Sequence, residues 1–398
     1  MNERFGQGQY LTRHSVHGAN DLKIARYLKS PELGPRVLFF SGGSALNNFS
    51  QRLKKYTYNS IHIVTPFDSG GSSAVLRKAF QMPAVGDMRS RMMALADESA
   101  LGHPEVFSLF THRLPADQSQ SELRQRVEQM QLGKDRLVKS IPEPMRSLIC
   151  DYLGYFLNAA SSSFDFKGAS IGNLILTGGY LGHNRSLDPI AFLFSKLVHV
   201  RGIVRTITDE DTELCVTTES GKTIIGQHLI TGKEVDPLSD KIVDMTLAYA
   251  EKGDPLSRVR KQGRRLIRSA ELVVFPPGSF YSSILANLLP KGVGKAIMDN
   301  PATKVYVPNL GNDPEQFGMT LREQIEQLER FIARDTGKIE RCIDILLTDS
   351  TLLSGIDETL LQWLEKRGIQ LLDVDLANSE RLDRYDETKL CEAILSLT

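Results

Sequence analysis

Val37-Leu38-Phe39-Phe40-Ser41-Gly42-Gly43-Ser44-Ala45-Leu46 decides the fold: an apolar run, a turn of small residues, then a helix-like segment to about Lys55. Four apolar residues bounded by serine and glycine read as a buried strand, and the helix behind it is the crossover that a parallel sheet needs. The order repeats at once. Ile61-His62-Ile63-Val64 leads into Thr65-Pro66-Phe67-Asp68-Ser69-Gly70-Gly71-Ser72-Ser73 and further helical text. Two such units predict an α/β fold, Rossmann-like, on a mainly parallel sheet.

The rhythm returns downstream, with Leu272–Phe275 before Pro276-Pro277-Gly278-Ser279 and residues 304–307 before Pro308-Asn309-Leu310-Gly311. Strands are also predicted near 343–347 and 370–374, and helices near 282–289, 321–333, 358–366 and from Glu387. Residues 87–160 repeat apolar positions at three and four, as in Met88, Met92, Met93 and Leu95, and read as a helical insertion interrupted by Pro142 and Pro144. Residues 203–231 alternate β-branched residues and read as a small β insertion, with Ser220-Gly221 as the hairpin turn between 214–218 and Thr223–Ile225. Residues 1–34 are polar and irregular, an arm ahead of one domain over 35–398.

A chain of 398 residues can bury a large core without staples. Lysine plus arginine equals aspartate plus glutamate, 48 each, so no global field draws in nucleic acid or an anionic membrane. Cys150, Cys215, Cys342 and Cys391 lie far apart and form no C-x-x-C pair, against both a zinc ribbon and a secreted disulfide framework. The N-terminal residues contain no apolar run for a signal peptide, and no stretch approaches the roughly 20 apolar residues of a membrane span. A cytoplasmic address is therefore expected, with a homodimer as the default assembly.

In an open parallel sheet, ligands sit beyond the carboxyl ends of the strands. Four such junctions are rich in small and polar residues: 41–44, 66–73, 276–283 and 308–312. Glycine lets backbone N–H groups approach an anion, and the helix that follows adds its own unpaired N–H groups. These loops suit phosphate oxygens. Each has a plainer reading: Ser44 and Asp87 as helix N-caps, Asp68 as a loop-capping aspartate, Arg89 as a solvated first-turn residue. Asp68 beside a phosphate calls for a magnesium ion or a hydroxyl donor between them, and Arg89 suits bidentate phosphate contact. Ser72, in Gly70-x-Ser72-x-Ala74, is one glycine short of a nucleophile elbow. Neither His62 nor His228 stands out as its partner; both read as core or surface residues.

The loops in this order resemble the CofD/YvcK family. There G-G-G-T-G-L follows strand 1 and D-D-G-G-S-S-G-x-L-R follows strand 2, with P-P-G-D-I-R-N, G-N-L, G-P-G-S-x-Y-T-S, P-N-L-L and N-L-x-T-Q after them. This chain has Ser41–Leu46, Asp68–Arg77, Gly86-Asp87-Met88-Arg89-Ser90, Gly172-Asn173-Leu174-Ile175, Pro277-Gly278-Ser279-Phe280-Tyr281-Ser282-Ser283, Asn287-Leu288-Leu289 and Asn309-Leu310. The YvcK-like branch is the nearer in style.

The resemblance implies a nucleotide diphosphate in one crevice. One branch transfers a phospholactyl-type group from a guanosine diphosphate carrier to a deazaflavin hydroxyl; the other binds UDP-sugars and regulates carbon and cell-wall metabolism. It places Gly42, Gly43, Ser44, Gly70, Gly71, Ser72, Ser73, Asp87, Gly278, Ser279, Tyr281, Ser283 and Asn309 around the ligand. Asn173 and Asn287 would orient loops or read the nucleotide. Asp68 would hold magnesium or accept a proton, with Arg89 stabilising developing charge. A transferase is the leading expectation, a non-catalytic nucleotide-sugar regulator the alternative. Departures fall in the same shell: Ser69 replaces the second aspartate, Ser41, Ser44 and Ala45 alter the first loop, Ser90 replaces an asparagine, and Gly311-Asn312 replace threonine-glutamine.

Overall fold

A computed structural model describes residues 4–5, 9–10, 20–99, 102–232, 235–248, 257–337, 341–349 and 356–398. Near the N-terminus, β1 (Arg4–Phe5) and β2 (Gln9–Tyr10) pair antiparallel. There follow β3 (Val37–Ser41), β4 (Ile61–Val64), β5 (Ile203–Thr206), β6 (Glu213–Thr218), β7 (Thr223–Ile225), β8 (Ile242–Ala248), β9 (Leu272–Phe275), β10 (Thr303–Tyr306), β11 (Ile345–Thr348) and β12 (Gln370–Asp373).

Seven of these strands form one parallel sheet in the order β12-β11-β10-β9-β3-β4-β5. From β3 the chain builds outward on one side through β4 and β5, then returns to add β9 to β12 on the other. The reversal lies between β3 and β9, a topological switch point of the kind at which doubly wound sheets bind ligands. The fold is α/β, as the sequence predicts.

Both faces of the sheet are covered, which is why its central strands read as apolar runs without alternation. In β3, Val37 and Phe39 pack with Phe49 and with Leu390 and Ile394 of the C-terminal helix Glu387–Ser396. Leu38 and Phe40 point the other way, into a core shared with Phe67, Val273 and Phe275. His62 faces Phe39 as a stacked ring at 5.3 Å and is fully buried, so it is a core residue.

The structure redraws three boundaries. Residues 203–206, expected in the β insertion, pair with β4 and form the edge of the main sheet; β-branched alternation alone cannot say which partner a strand finds. The insertion is instead the antiparallel trio β7-β6-β8, so it runs on to Ala248. The helical layer extends past 160 through Ile171–Gly182 and Leu187–Leu197, around Met88, Met92, Leu153, Phe156 and Leu174. The arm contains a helix, Asp21–Lys29, tied to the chain end through Tyr27 Oη and Thr398 Oγ1 at 3.1 Å.

Candidate functional site

The turn after β3 approaches the turn after β9 so closely that a side chain between them has no room. A Cβ on Gly42 would stand 2.2 Å from Ser283 Oγ and 2.9 Å from Ser283 Cβ. Asn287, fully buried, fixes the approach by donating from Nδ2 to Ser41 O at 3.0 Å and to Ser283 O at 2.7 Å. It thereby ties the end of β3 to the segment after β9. From beneath, the buried Arg91 guanidinium donates to Gly43 O at 3.0 Å, Gly42 O at 3.3 Å and Ser50 Oγ at 2.6 Å. A trans peptide directs its N–H opposite to its C=O. Arg91 thus turns the amides of Gly43 and Ser44 away from itself. Burial lowers the Arg91 pKa to about 10, against the favourable charge of Asp87, and leaves it a cation at neutral pH.

The second loop brings carboxylates. Asp68 Oδ1 accepts the Gly70 N–H at 3.1 Å, so the loop-capping reading describes one of its oxygens. Its Oδ2 lies 3.7 Å from where a Gly86 Cβ would be, and Ser73 Oγ lies 3.0 Å from the same point. Gly70 is the N-cap of the helix Gly71–Phe80, with Ser72 and Ser73 in its first turn, and Gly71 holds a φ of 45°. Asp87 is inside the helix Gly86–Leu95, whose N-cap is Val85, so it is not the cap. Instead its Oδ1 faces Gly43, 2.5 Å from the Cβ that Gly43 lacks.

A cavity of about 200 Å³ lies among these groups, lined by Gly43, Ser44, Asp68, Asp87, Ser279 and Ser283 with Ala45, Gln227, His228 and Thr231. Three of the four expected junctions and the start of the Gly86 helix therefore converge on one space. A larger cleft of about 1000 Å³ runs along the helix Lys261–Ser269 and shares none of these residues.

The turn after β9 differs from expectation. Asn309 clamps the Gly278 peptide from both sides, accepting its N–H at 2.8 Å and donating to its C=O at 2.7 Å. Asp313 Oδ2 accepts the Phe280 N–H at 2.8 Å; Glu315 Oε2 accepts those of Tyr281 and Ser282, also at 2.8 Å. Ser282 Oγ donates to Glu315 Oε1 at 2.5 Å. The helix start thus binds the protein's own carboxylates. Burial and the charge of Asp313 raise Glu315 well above the usual carboxylate range.

Two expected ligand residues point elsewhere. Tyr281 is buried and its hydroxyl donates to Ile242 O at 2.8 Å, fastening β8 of the insertion to the main body. Arg89 donates from Nε to Asn173 Oδ1 at 2.8 Å and packs where Gly172 has no side chain, 2.7 Å from the absent Cβ. Arg89 and Asn173 form a layer behind the cavity rather than its lining.

The match to the family model 2-phospho-L-lactate transferase CofD spans residues 37–390. The chain belongs to the CofD family. Within it, this chain is similar to the gluconeogenesis factor of Listeria monocytogenes, 28% identical over 376 residues that cover 92% of this chain and 96% of that protein. It is also similar to the gluconeogenesis factor of Bacillus subtilis, 27% identical over 297 residues, 74% of either chain. A crystal structure of a UPF0052 family member from Bacillus halodurans has the same fold, with a TM-score of 0.65 at 24% identity, over 91% of this chain and 99% of that one. No described helix is long and apolar enough to cross a membrane.

The CofD motifs supply Gly43, Ser44, Asp68, Asp87, Ser279 and Ser283 of the lining, but not Arg91, Asp313, Glu315 or His228. Arg91 carried one signal: it falls on the apolar stripe between Met88 and Leu95, where a cation is out of place. Asp313 and Glu315 carry no local mark in the sequence that sets them apart from other acidic residues. His228, set aside as core or surface, lines the cavity because an insertion some 160 residues from Ser69 folds back onto it, Ser69 Oγ to His228 Nδ1 at 2.8 Å.

Proposed function

We propose that this chain binds a nucleotide diphosphate carrying a sugar in the switch-point crevice, as a nucleotide-sugar-responsive member of the CofD family. The observation that carries this is the chemistry of the cavity lining: backbone turned by Arg91, serine hydroxyls, two carboxylates, an amide and an imidazole around about 200 Å³. Amides of the first turn and hydroxyls of Ser44, Ser279 and Ser283 suit phosphate oxygens. Neutral hydrogen-bonding groups suit hydroxyls. The relatives' name, gluconeogenesis factor, points to carbon metabolism and names no transferase, which supports the regulatory reading.

Asp68 and Asp87 would repel a bare diphosphate. Among the described residues no three histidine, cysteine or acidic side chains gather as a complete metal site. Magnesium, however, is commonly held by one or two carboxylates together with substrate phosphates and water. Asp68 and Asp87, both on the lining of one cavity, would hold the ion there, and it would supply charge neutralisation.

A second reading is a CofD-type transfer of the phosphorus-containing group. It is favoured by Asp68 Oδ2, which Gly70 leaves unused and which could accept a proton from an acceptor hydroxyl. Asp68→Asn separates the two. Calorimetric titration with UDP- and GDP-sugars and magnesium is expected to show affinity weakened about tenfold, one lost charge contact of about 1.4 kcal/mol. Product formation by the unaltered chain from a nucleotide-linked donor, abolished by Asp68→Asn, would establish the transferase instead. Absence of binding by any nucleotide diphosphate would defeat both.

A further inference from the structure

The cleft of about 1000 Å³ along the helix Lys261–Ser269 has eight lining residues, and five are cations: Arg260, Lys261, Arg264, Arg265 and Arg268. Its single acid, Asp188, is already engaged by Arg205 Nε at 3.3 Å. Over the whole chain cationic and acidic residues balance at 48 each, so this cluster is a local segregation of charge.

Only part of the cluster serves the fold. Gly263, Leu266 and Ile267 are buried and hold the helix to the body. Arg260 Nη2 pairs with Asp209 at 3.0 Å and Nη1 donates to Ser186 Oγ at 3.0 Å, which fastens the helix start to the neighbouring layer. Arg268 lies 3.9 Å from Asp299. Lys261, Arg264 and Arg265 are exposed, and among the described residues their side chains make no hydrogen bond or ion pair.

Within the chain this placement is unfavourable. Lys261 stands four residues before Arg265, and Arg264 four residues from both Arg260 and Arg268, a spacing at which like charges repel. The first turn holds no acid and opens on Lys261, where the helix dipole favours an anion. An anionic partner reverses both terms.

We propose that this cleft is a docking surface for an acidic segment of a partner protein, gripped by Lys261, Arg264 and Arg265. Guanidinium forks match carboxylates with two parallel hydrogen bonds. Side chains on one side of an extended peptide recur about every 7 Å, and Lys261 to Arg268 spans about 10 Å of helix. More than one carboxylate of an acidic run can therefore be met at once. Single-stranded nucleic acid is held by aromatic rings set among the cations, and among the described residues none lines this cleft. A helix lying on a membrane turns apolar side chains to the lipid; here Leu266 and Ile267 are turned into the protein. The cleft shares no lining residue with the switch-point crevice, so it stands apart from the nucleotide reading.

Fluorescence anisotropy of a labelled oligoglutamate peptide, titrated with the full chain at low and at physiological salt, tests this. Saturable binding is expected, weakened by salt as exposed charge contacts are. Arg264→Ala with Arg265→Ala should lose about tenfold in affinity, the worth of two exposed charge pairs, and Arg264→Glu with Arg265→Glu should abolish binding. Thermal melts should show no loss of stability, since neither arginine has a partner in the described chain. Arg322→Ala with Arg381→Ala removes the same charge elsewhere on the surface and should leave the affinity unchanged. No binding at low salt, or equal losses in both double-alanine variants, overturns the proposal. Tighter binding of a single-stranded oligonucleotide or of phosphatidylserine vesicles than of the peptide gives the cleft to another occupant and overturns it as well. So does self-association in sedimentation that Arg264→Ala with Arg265→Ala abolishes.

Discussion

The turns after β3 and β9 face each other across the switch point and look alike in sequence: an apolar strand, small residues, a helix. Their electrostatics are opposite. After β3, a buried cation takes the carbonyls of Gly42 and Gly43, and the amides of the next residues turn outward. After β9, buried carboxylates of Asp313 and Glu315 take the amides of Phe280, Tyr281 and Ser282. Glycine and serine before a helix make anion binding possible at either place. What lies beneath each turn decides whether its amides turn toward the cavity or are taken by the protein's own side chains. One rim offers donors; the other offers a rigid wall from which Ser279 and Ser283 face the cavity.

The sharpest way to break this contrast is Arg91→Ala. Removing the cation leaves the carbonyls of Gly42 and Gly43 and Ser50 Oγ without their donor. The expected cost is about 3–5 kcal/mol, read from urea unfolding, with loss of nucleotide binding in the fraction that folds. Unchanged nucleotide affinity would show that the first turn keeps its shape without Arg91.

Gly42→Ala should follow in size. The added methyl meets the Ser283 side chain and must push the rims apart, an overpacking cost of about 1–3 kcal/mol. Stability should drop within that range and nucleotide affinity should fall with it. An unaltered melting curve would mean that the rims are less tightly apposed than the 2.2 Å approach requires.

Glu315→Gln is the mildest change and sharpens the comparison through pH. Burial first, and Asp313 second, raise the folded-state carboxyl above its unfolded value. Such a group contributes most below the ordinary glutamate range, near about 4.3, and its contribution is lost as pH rises toward the folded value. The uncharged glutamine can still accept the two amides and donate to Ser282. The variant should therefore lose less stability between about pH 5 and about pH 8 than the unaltered chain does, measured as urea midpoints. An identical slope in both proteins would mean that Glu315 is ionised throughout.

Much of this molecule could be read from one line of residues. Mainly apolar runs leading into loops of small and polar residues marked β3, β4 and β9, since a strand buried on both faces is apolar along most of its length and its exit turn needs small residues. The order of the motifs pointed to the CofD family and to the right end of the sheet. Gly42 and Ser279 were singled out as small and polar residues of strand-exit loops, and Asp68 as a carboxylate unusual beside them.

Tertiary structure alone decided the rest. That residues 203–206 join the main sheet, that Glu315 takes the amides of Tyr281 and Ser282, that Arg89 bonds Asn173, and that His228 meets Ser69 are all pairings between distant segments. The residues involved carry no local mark of their partner. Local propensity and periodicity report how a segment buries itself; which donor meets which acceptor is fixed only when the packed sheet brings the segments together.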